Sequence, residues 1–448
     1  MTTLREELRD VHPGRQGLGV GLAIGVTVPG LLLRFLHPEL PHPEEALILG
    51  SAIVGAAFLL SWAAEVAQLD ISAGLAIAAL AFIAVLPEYA VDMVFAWKGG
   101  DAVQAYGAAC HPPGAAGEDA CSLALANMTG ANRLLIGIGW SLVVLIAYLR
   151  SRRRLGERIS DVRLERAHAV EVSFLALATV YSLTLPLKRT ITLVDAAILV
   201  GIFAAYTWRI SRAPAEEPHL VGPARLIGTF RTGRRRAAVV GMFLFSAAVI
   251  VACAEPFADS LVQTGRQLGI SEFLLVQWLA PLASEAPELL VAGRYAWRLN
   301  TNAGLGTLVS SKVNQWTLLV GTLPIVFALA SSGVSGLPID AHQREEILLT
   351  AAQSFFGLAV LATLSISIRE ALMLFTLFWA QFVIGAVVPE SAGGVERIVV
   401  SAAYLGLGSF LFLRQAPLIG PLLRDGFRTS YAALNASDAD PADGATRR

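Results

Sequence analysis

The sequence predicts an all-α membrane protein of about twelve transmembrane helices, built as two inverted five-helix repeats with one extra helix at each end. Three observations predict it. Of 448 residues, 55% are hydrophobic and only 15% charged, and mean hydropathy is +0.61; a soluble domain carries roughly a quarter charged residues. A motif echo recurs two hundred positions apart, at Pro87-Glu88 and Pro287-Glu288. Lys and Arg are sorted between alternate connections. Net charge is −1, which offers no field to attract nucleic acid.

Apolar runs long enough to cross roughly 30 Å of hydrocarbon fall at 17–36, 45–67, 71–97, 122–149, 167–187, 190–210, 237–262, 271–297, 303–330, 345–367, 370–389 and 396–414. In lipid each must be helical, because its backbone polar groups have no water to pair with. The first run resembles a secretory signal in following Arg5, Arg9 and Arg15. It is too long for one, and His37-Pro38-Glu39 offers no cleavage site, so it reads as a retained helix.

Orientation follows from the cations. Arg150, Arg152, Arg153, Arg154, Arg158, Arg163 and Arg166 crowd the connection after the fourth span; Arg209, Arg212, Arg225, Arg231, Arg234, Arg235 and Arg236 crowd the one after the sixth. Residues 37–44 hold no Lys or Arg, and 331–344 hold only Arg344. Cytoplasmic basic loops then place both termini in the cytoplasm of a multi-pass, inner-membrane protein. Expected segments are 1–44 (N-terminus and extra helix), 45–210 (first repeat), 211–236 (basic linker with Pro214, Pro218 and Pro223), 237–389 (inverted second repeat) and 390–448 (extra helix and tail). The tail from about 425 onward is polar and reads as disordered.

The echo extends beyond one dipeptide. Leu86-Pro87-Glu88-Tyr89 continues to Ala96-Trp97-Lys98, and Ala286-Pro287-Glu288-Leu289 continues to Ala296-Trp297-Arg298; Ala64-Glu65 and Ala254-Glu255 close the helices before them. Five helices is an odd number, so two such units must be inverted. Inverted repeats are the architecture of alternating-access transporters, with the site near the midplane; some channels share it.

Glu88 and Glu288 lie inside long apolar runs, where a carboxylate marks a functional site unless paired or protonated. Pro87 and Pro287 each remove a backbone hydrogen bond, which is expected to free carbonyls near Ile83 and Ala84, and near Ala283 and Ser284. Carboxylates beside free carbonyls form the hard oxygen set that Ca²⁺ or Na⁺ takes. Asp92 shares the face of Glu88, and Glu285 that of Glu288. The next helices carry Asn127, Gly130 and Asn132, then Thr307, Ser310, Ser311 and Lys312. Hydroxyls and small residues there serve equally as helix-packing groups. Glu65 and Glu255, near helix ends, are expected to find solvent or a local partner.

These residues resemble the two alpha repeats of the sodium/calcium exchanger superfamily, whose pattern is roughly Gly-Thr-Ser-x-Pro-Glu followed by Gly-Asn-x-x-Gly-Ser-Asn. Here the first copy reads Ile83-Ala84-Val85-Leu86-Pro87-Glu88 and Ala126-Asn127-Met128-Thr129-Gly130-Ala131-Asn132. The second reads Ala283-Ser284-Glu285-Ala286-Pro287-Glu288 and Gly306-Thr307-Leu308-Val309-Ser310-Ser311-Lys312. The resemblance implies cation binding by Glu88, Glu288 and Asn127, a hydroxyl ligand in Ser284, and Thr307 in the slot of an acidic or amide partner. Ala84 and Val85 replace a hydroxyl pair, which weakens a multi-sodium site. Lys312 replaces an asparagine and is expected to need a carboxylate, Glu285 or Glu288, while filling part of an ion's space.

The expected function is secondary antiport exporting Ca²⁺ in exchange for Na⁺ or H⁺, with Na⁺/H⁺ exchange on the same fold as the alternative. An intramembrane metal-dependent enzyme or a transport-inactive membrane protein are the lesser alternatives; the histidines fall in loops or at helix ends and build no hydrolase ligand set. No cofactor is expected, only transported inorganic cations and the lipid bilayer as partners. In the loop 99–121, Cys110 and Cys121 are expected to form a disulfide if it faces an oxidising compartment, with a metal site as the other option.

Overall fold

The computed structural model describes residues 11–70, 86–107, 110–112, 119–156, 159–214, 220–387 and 394–438. The expected freed carbonyls at Ile83 and Ala84, the first part of the third span, and the last ten residues lie outside them. Within the described residues each expected span meets a helix: α1 Pro13–Leu36, α2 His42–Ala67, α3 Leu86–Tyr106, α4 Ala120–Leu134 continuing through a π segment into α5 Ser141–Leu155, α6 Ala169–Ser182, α7 Leu193–Ile210, α8 Pro223–Gly228 in the linker, and α9 Thr232–Leu268. Then come α10 Glu272–Trp297, α11 Thr301–Asn314 with a second π segment into α12 Val320–Ala330, α13 Ala341–Leu361, α14 Ile368–Val387, α15 Val395–Arg414, α16 Ala416–Phe427 and α17 Tyr431–Asp438. Among the described residues nine helices are long and apolar enough to cross a membrane.

The ends of these helices are written in local chemistry. Thr192 and Asp195 form a capping box at the start of α7, as Asp340 and Gln343 do for α13. Gly269, at φ 65°, closes α9 in the left-handed conformation that glycine adopts without steric penalty. At 37 residues α9 is about 55 Å long and overshoots its expected span at both ends, where Arg234, Arg235 and Arg236, and then Gln263, Arg266, Gln267 and Leu268, are good helix formers beyond the apolar stretch.

Two compact units divide the chain: Met1–Met128 with Ala213–Glu288 and Val326–Gly333, and Thr129–Arg212 with Leu289–Ile325 and Val334–Arg448. Each expected repeat contributes to both. In the first unit α2 packs along α9 and α1. Close approach is enforced at Gly30, whose face meets Ala52, and at Gly55, whose face meets the Ala23 carbonyl. The linker is not a free tether there. Leu220, Ala224 and Ile227 are buried against Ala63, Val66 and Val239, and the Glu65 carboxylate accepts from the Val221 N–H at 2.7 Å. Asp70 receives a two-point hydrogen bond from Arg235, Oδ2 to Nε at 2.7 Å and Oδ1 to Nη2 at 2.8 Å. That bond holds the Asp70 carboxyl below its ordinary pKa, and burial only partly opposes it.

In the second unit two short antiparallel pairs stitch connections together. Strand β1 (Asp161–Arg163) pairs with β4 (Ser365–Ser367), and β2 (Thr190–Ile191) pairs with β3 (Leu337–Pro338). Each pair joins connections separated by an even number of expected spans, as a shared membrane face requires. The expected disorder from 425 is corrected for residues up to 438, which are helical and docked. Arg166 holds Asp425 at 2.7 and 3.0 Å, Arg209 stacks on the Tyr431 ring, and Leu434 is fully buried. Paired charges and one aromatic anchor fix a segment whose composition alone reads as solvated.

Candidate cation site

In the first unit the described part of α3 is Leu86–Tyr106, which carries Pro87 and Glu88. Glu88 and Asp92, four residues apart, project from one face and are 5% and 0% exposed. The fully buried Asn127 of α4 lies beside Asp92, close enough to interact yet out of hydrogen-bond alignment. Among the described residues neither Asp92 oxygen, and neither polar atom of the Asn127 amide, has a hydrogen-bond partner. A buried carboxylate left so costs several kcal/mol unless a proton or a cation completes it. Buried Tyr89 lies within electrostatic reach of both carboxylates, and its hydroxyl is also unpartnered among the described residues.

Helix α10 brings Ser284, Glu285 and Pro287 inside the same unit, with Glu288 half-buried. The helix runs unbroken through Pro281 and Pro287. Ser284 donates to the Ala280 and Pro281 carbonyls, each at 3.2 Å, so its hydroxyl proton is engaged within its own helix.

The second unit holds the remaining candidates. Ser311 is buried; Ser310 shares a 2.6 Å hydrogen bond with the Tyr206 hydroxyl. Thr307 is exposed and donates to Ala303 of its own helix at 2.8 Å, because Gly304, Leu305, Gly306 and Leu308 turn the packed face of α11 the other way. Lys312 is fully buried, and its ammonium donates to the Asn132 side-chain oxygen at 2.8 Å and to the Asn132 backbone carbonyl. The acceptor found for it is thus the amide at the echoing position of the first motif. From Lys312 the Trp316 ring centroid is 5.5 Å away. Each motif helix passes into a π segment three residues later, Leu135–Trp140 after Asn132 and Gln315–Leu319 after Lys312. Such bulges concentrate at functional sites.

Sequence reading missed Arg133. It follows Asn132, is fully buried, and its Nη2 lies 2.8 Å from the Glu346 carboxylate, itself 8% exposed. Arg397 reaches Glu346 at 3.9 Å, Glu345 at 3.0 Å and Glu396 at 2.9 Å, and His342 stands 3.8 Å from Glu346. The Glu345 carboxylate lies against Gly394, where φ is 72° and any side chain would collide with it. An arginine in mid-run was itself the available signal, since such a charge requires a partner. In the 99–121 loop Cys110 and Cys121 are joined as a disulfide, which removes both sulfurs from metal chemistry.

The sodium/calcium exchanger protein family profile matches residues 46–211 and 238–387. The chain belongs to the sodium/calcium exchanger family. It is similar to the crystal structure of an H⁺/Ca²⁺ exchanger, CAX, at 40% identity, covering 94% of this chain and 99% of that one with a TM-score of 0.82. The native YfkE structure is 13% identical with a TM-score of 0.55, over 88% of this chain and 100% of that one, and shares the fold. Among curated proteins none matches. The family is one of membrane cation exchangers, so the intramembrane-enzyme alternative falls away.

Proposed function

We propose that the chain exports Ca²⁺ in exchange for protons by alternating access at a midplane site on the two Pro-Glu helices. The observation that carries this reading is the buried Asp92–Asn127 pair one turn from Glu88, which has no hydrogen-bond partner in satisfactory geometry among the described residues. Glu88, Glu288 and Asn127 form the metal-binding core, with Asp92, Ser284 and Glu285 of the same unit supplying further oxygens. Ca²⁺ and protons compete for the same carboxylate oxygens: one Ca²⁺ or two protons offset the charges of Glu88 and Glu288 equally, so the exchange leaves the net charge of the site unchanged. Proton rather than sodium coupling is supported by the similarity to an H⁺/Ca²⁺ exchanger and by Ala84 and Val85 where a sodium site needs hydroxyls. Lys312 favours a second reading, Na⁺/H⁺ exchange, because its buried ammonium stands at a motif position where the family pattern has an asparagine.

The test is ⁴⁵Ca²⁺ uptake into proteoliposomes under an imposed pH gradient, an imposed Na⁺ gradient, or neither. Uptake driven by the pH gradient alone is expected. Sodium movement coupled to protons without Ca²⁺ flux would move the assignment to the second reading.

A further inference from the structure

In the first unit a groove of about 440 Å³ opens between α1 and α9. Gly17, Val20 and Ile24 form one wall, and Ala238, Gly241 and Phe245 the other. The wall of α1 descends roughly 10 Å from its basic end into the apolar run. The lining is almost wholly apolar, and the groove is open on one side, so in a bilayer its natural filling is an acyl chain. Exposed arginines stand at its mouth. Phe230 lines the groove, and the exposed Arg234 guanidinium sits 4.7 Å above the centre of that ring. Arg231 adjoins Phe230, and Arg15 precedes Gly17; both are exposed.

We propose that this groove holds one acyl chain of an anionic phospholipid whose phosphate is bound by Arg234, assisted by Arg231 and Arg15. Chain and headgroup make different demands, and the fold meets each at the matching depth: an apolar slot within the run and arginines at its end. Arg231 and Arg234 are in the connection, and Arg15 in the N-terminal segment, that the charge distribution assigns to the cytoplasmic face, whose leaflet is rich in anionic lipid. An arginine can also form paired hydrogen bonds to a phosphate, which a lysine cannot. The inference is independent of which ions are transported.

The full-length protein, reconstituted in vesicles of equal phosphatidylglycerol and phosphatidylcholine, is extracted in mild detergent and its retained lipid counted by native mass spectrometry. One retained phosphatidylglycerol is expected, enriched over phosphatidylcholine by about five-fold for each engaged arginine. Arg234→Gln should lower that ratio while leaving a lipid bound. Gly241→Leu should lower retention of both lipids, since a side chain at this position enters open space rather than clashing. Equal retention of the two lipids by the native chain, or retention unchanged in Gly241→Leu, would overturn the proposal. A native dimer that Gly241→Leu converts to monomer would also overturn it, by assigning the groove to a second copy of the chain.

Discussion

Replacing Glu346 with leucine strands Arg133. The arginine is fully buried, and the carboxylate removed is the one 2.8 Å from its Nη2. Loss of one partner of a buried pair costs about 3–5 kcal/mol, because the remaining charge cannot recover its hydration. Arg397 and His342, 3.9 and 3.8 Å from the same carboxylate, lose an attraction as well, which places the expectation toward the upper end of that range. Arg133→Met should be milder, since Glu346 keeps Arg397 nearby. The double variant Arg133→Met/Glu346→Leu should recover most of the loss, because an apolar pair of similar volume is often as stable as the ions it replaces. Thermal unfolding in detergent, followed by loss of the monodisperse chromatographic peak, measures all four proteins. A Glu346→Leu protein as stable as the native one, or a double variant as unstable as the sum of the singles, would refute the claim that the two charges depend on each other.

Other consequences follow from the same structure. Gly137→Val should destabilise by about 1–3 kcal/mol through overpacking, because a Cβ there would lie 2.3 Å from the Phe378 ring; the chromatographic assay reads it. Cys110→Ser should lower stability by about 2–3 kcal/mol, given the 11-residue separation of the bridged cysteines, and alkylation before and after reduction should show two thiols released only by reductant. For Asp425, burial raises the carboxyl's pKa, but hydrogen bonds from Arg166 and Thr429 and the nearby positive charge outweigh it and leave the value lowered. A lowered folded value means the contribution is complete above about pH 4 and is lost as pH falls further, toward the folded value. The 416–438 segment should therefore resist limited proteolysis at neutral pH and gain cleavage in Arg166→Gln. Lys312→Met should free the Asn132 amide and lower transport far more than stability, read as flux against the chromatographic midpoint.

Much of this was legible in the residues, and the exceptions have physical reasons. Helix positions followed from apolar run length, and helix ends from groups such as Thr192, Asp340 and Gly269. Glu88 and Asp92 were legible because helical spacing puts them on one face. Arg133–Glu346 was not, since partners more than two hundred positions apart share no local period. The docked tail escaped for a similar reason: Asp425 is an ordinary surface residue until Arg166 faces it. Lys312 is expected beside a carboxylate, Glu285 or Glu288; one acceptor among the described residues is the Asn132 amide, at the echoing motif position. Helix register alone could not foretell that Thr307 would turn outward while Ser311, four residues on, is buried.

The central claim is that buried oxygens around Glu88, with Glu288, hold the transported ion. The most direct test is pH-gradient-driven ⁴⁵Ca²⁺ flux by Glu88→Gln, Asp92→Asn and Glu288→Gln in proteoliposomes, each first shown to be folded and monodisperse. The account predicts that Glu88→Gln and Glu288→Gln abolish flux and that Asp92→Asn reduces it at least tenfold, a loss of about 1.4 kcal/mol or more in transition-state binding. Native flux in either glutamine variant would contradict it.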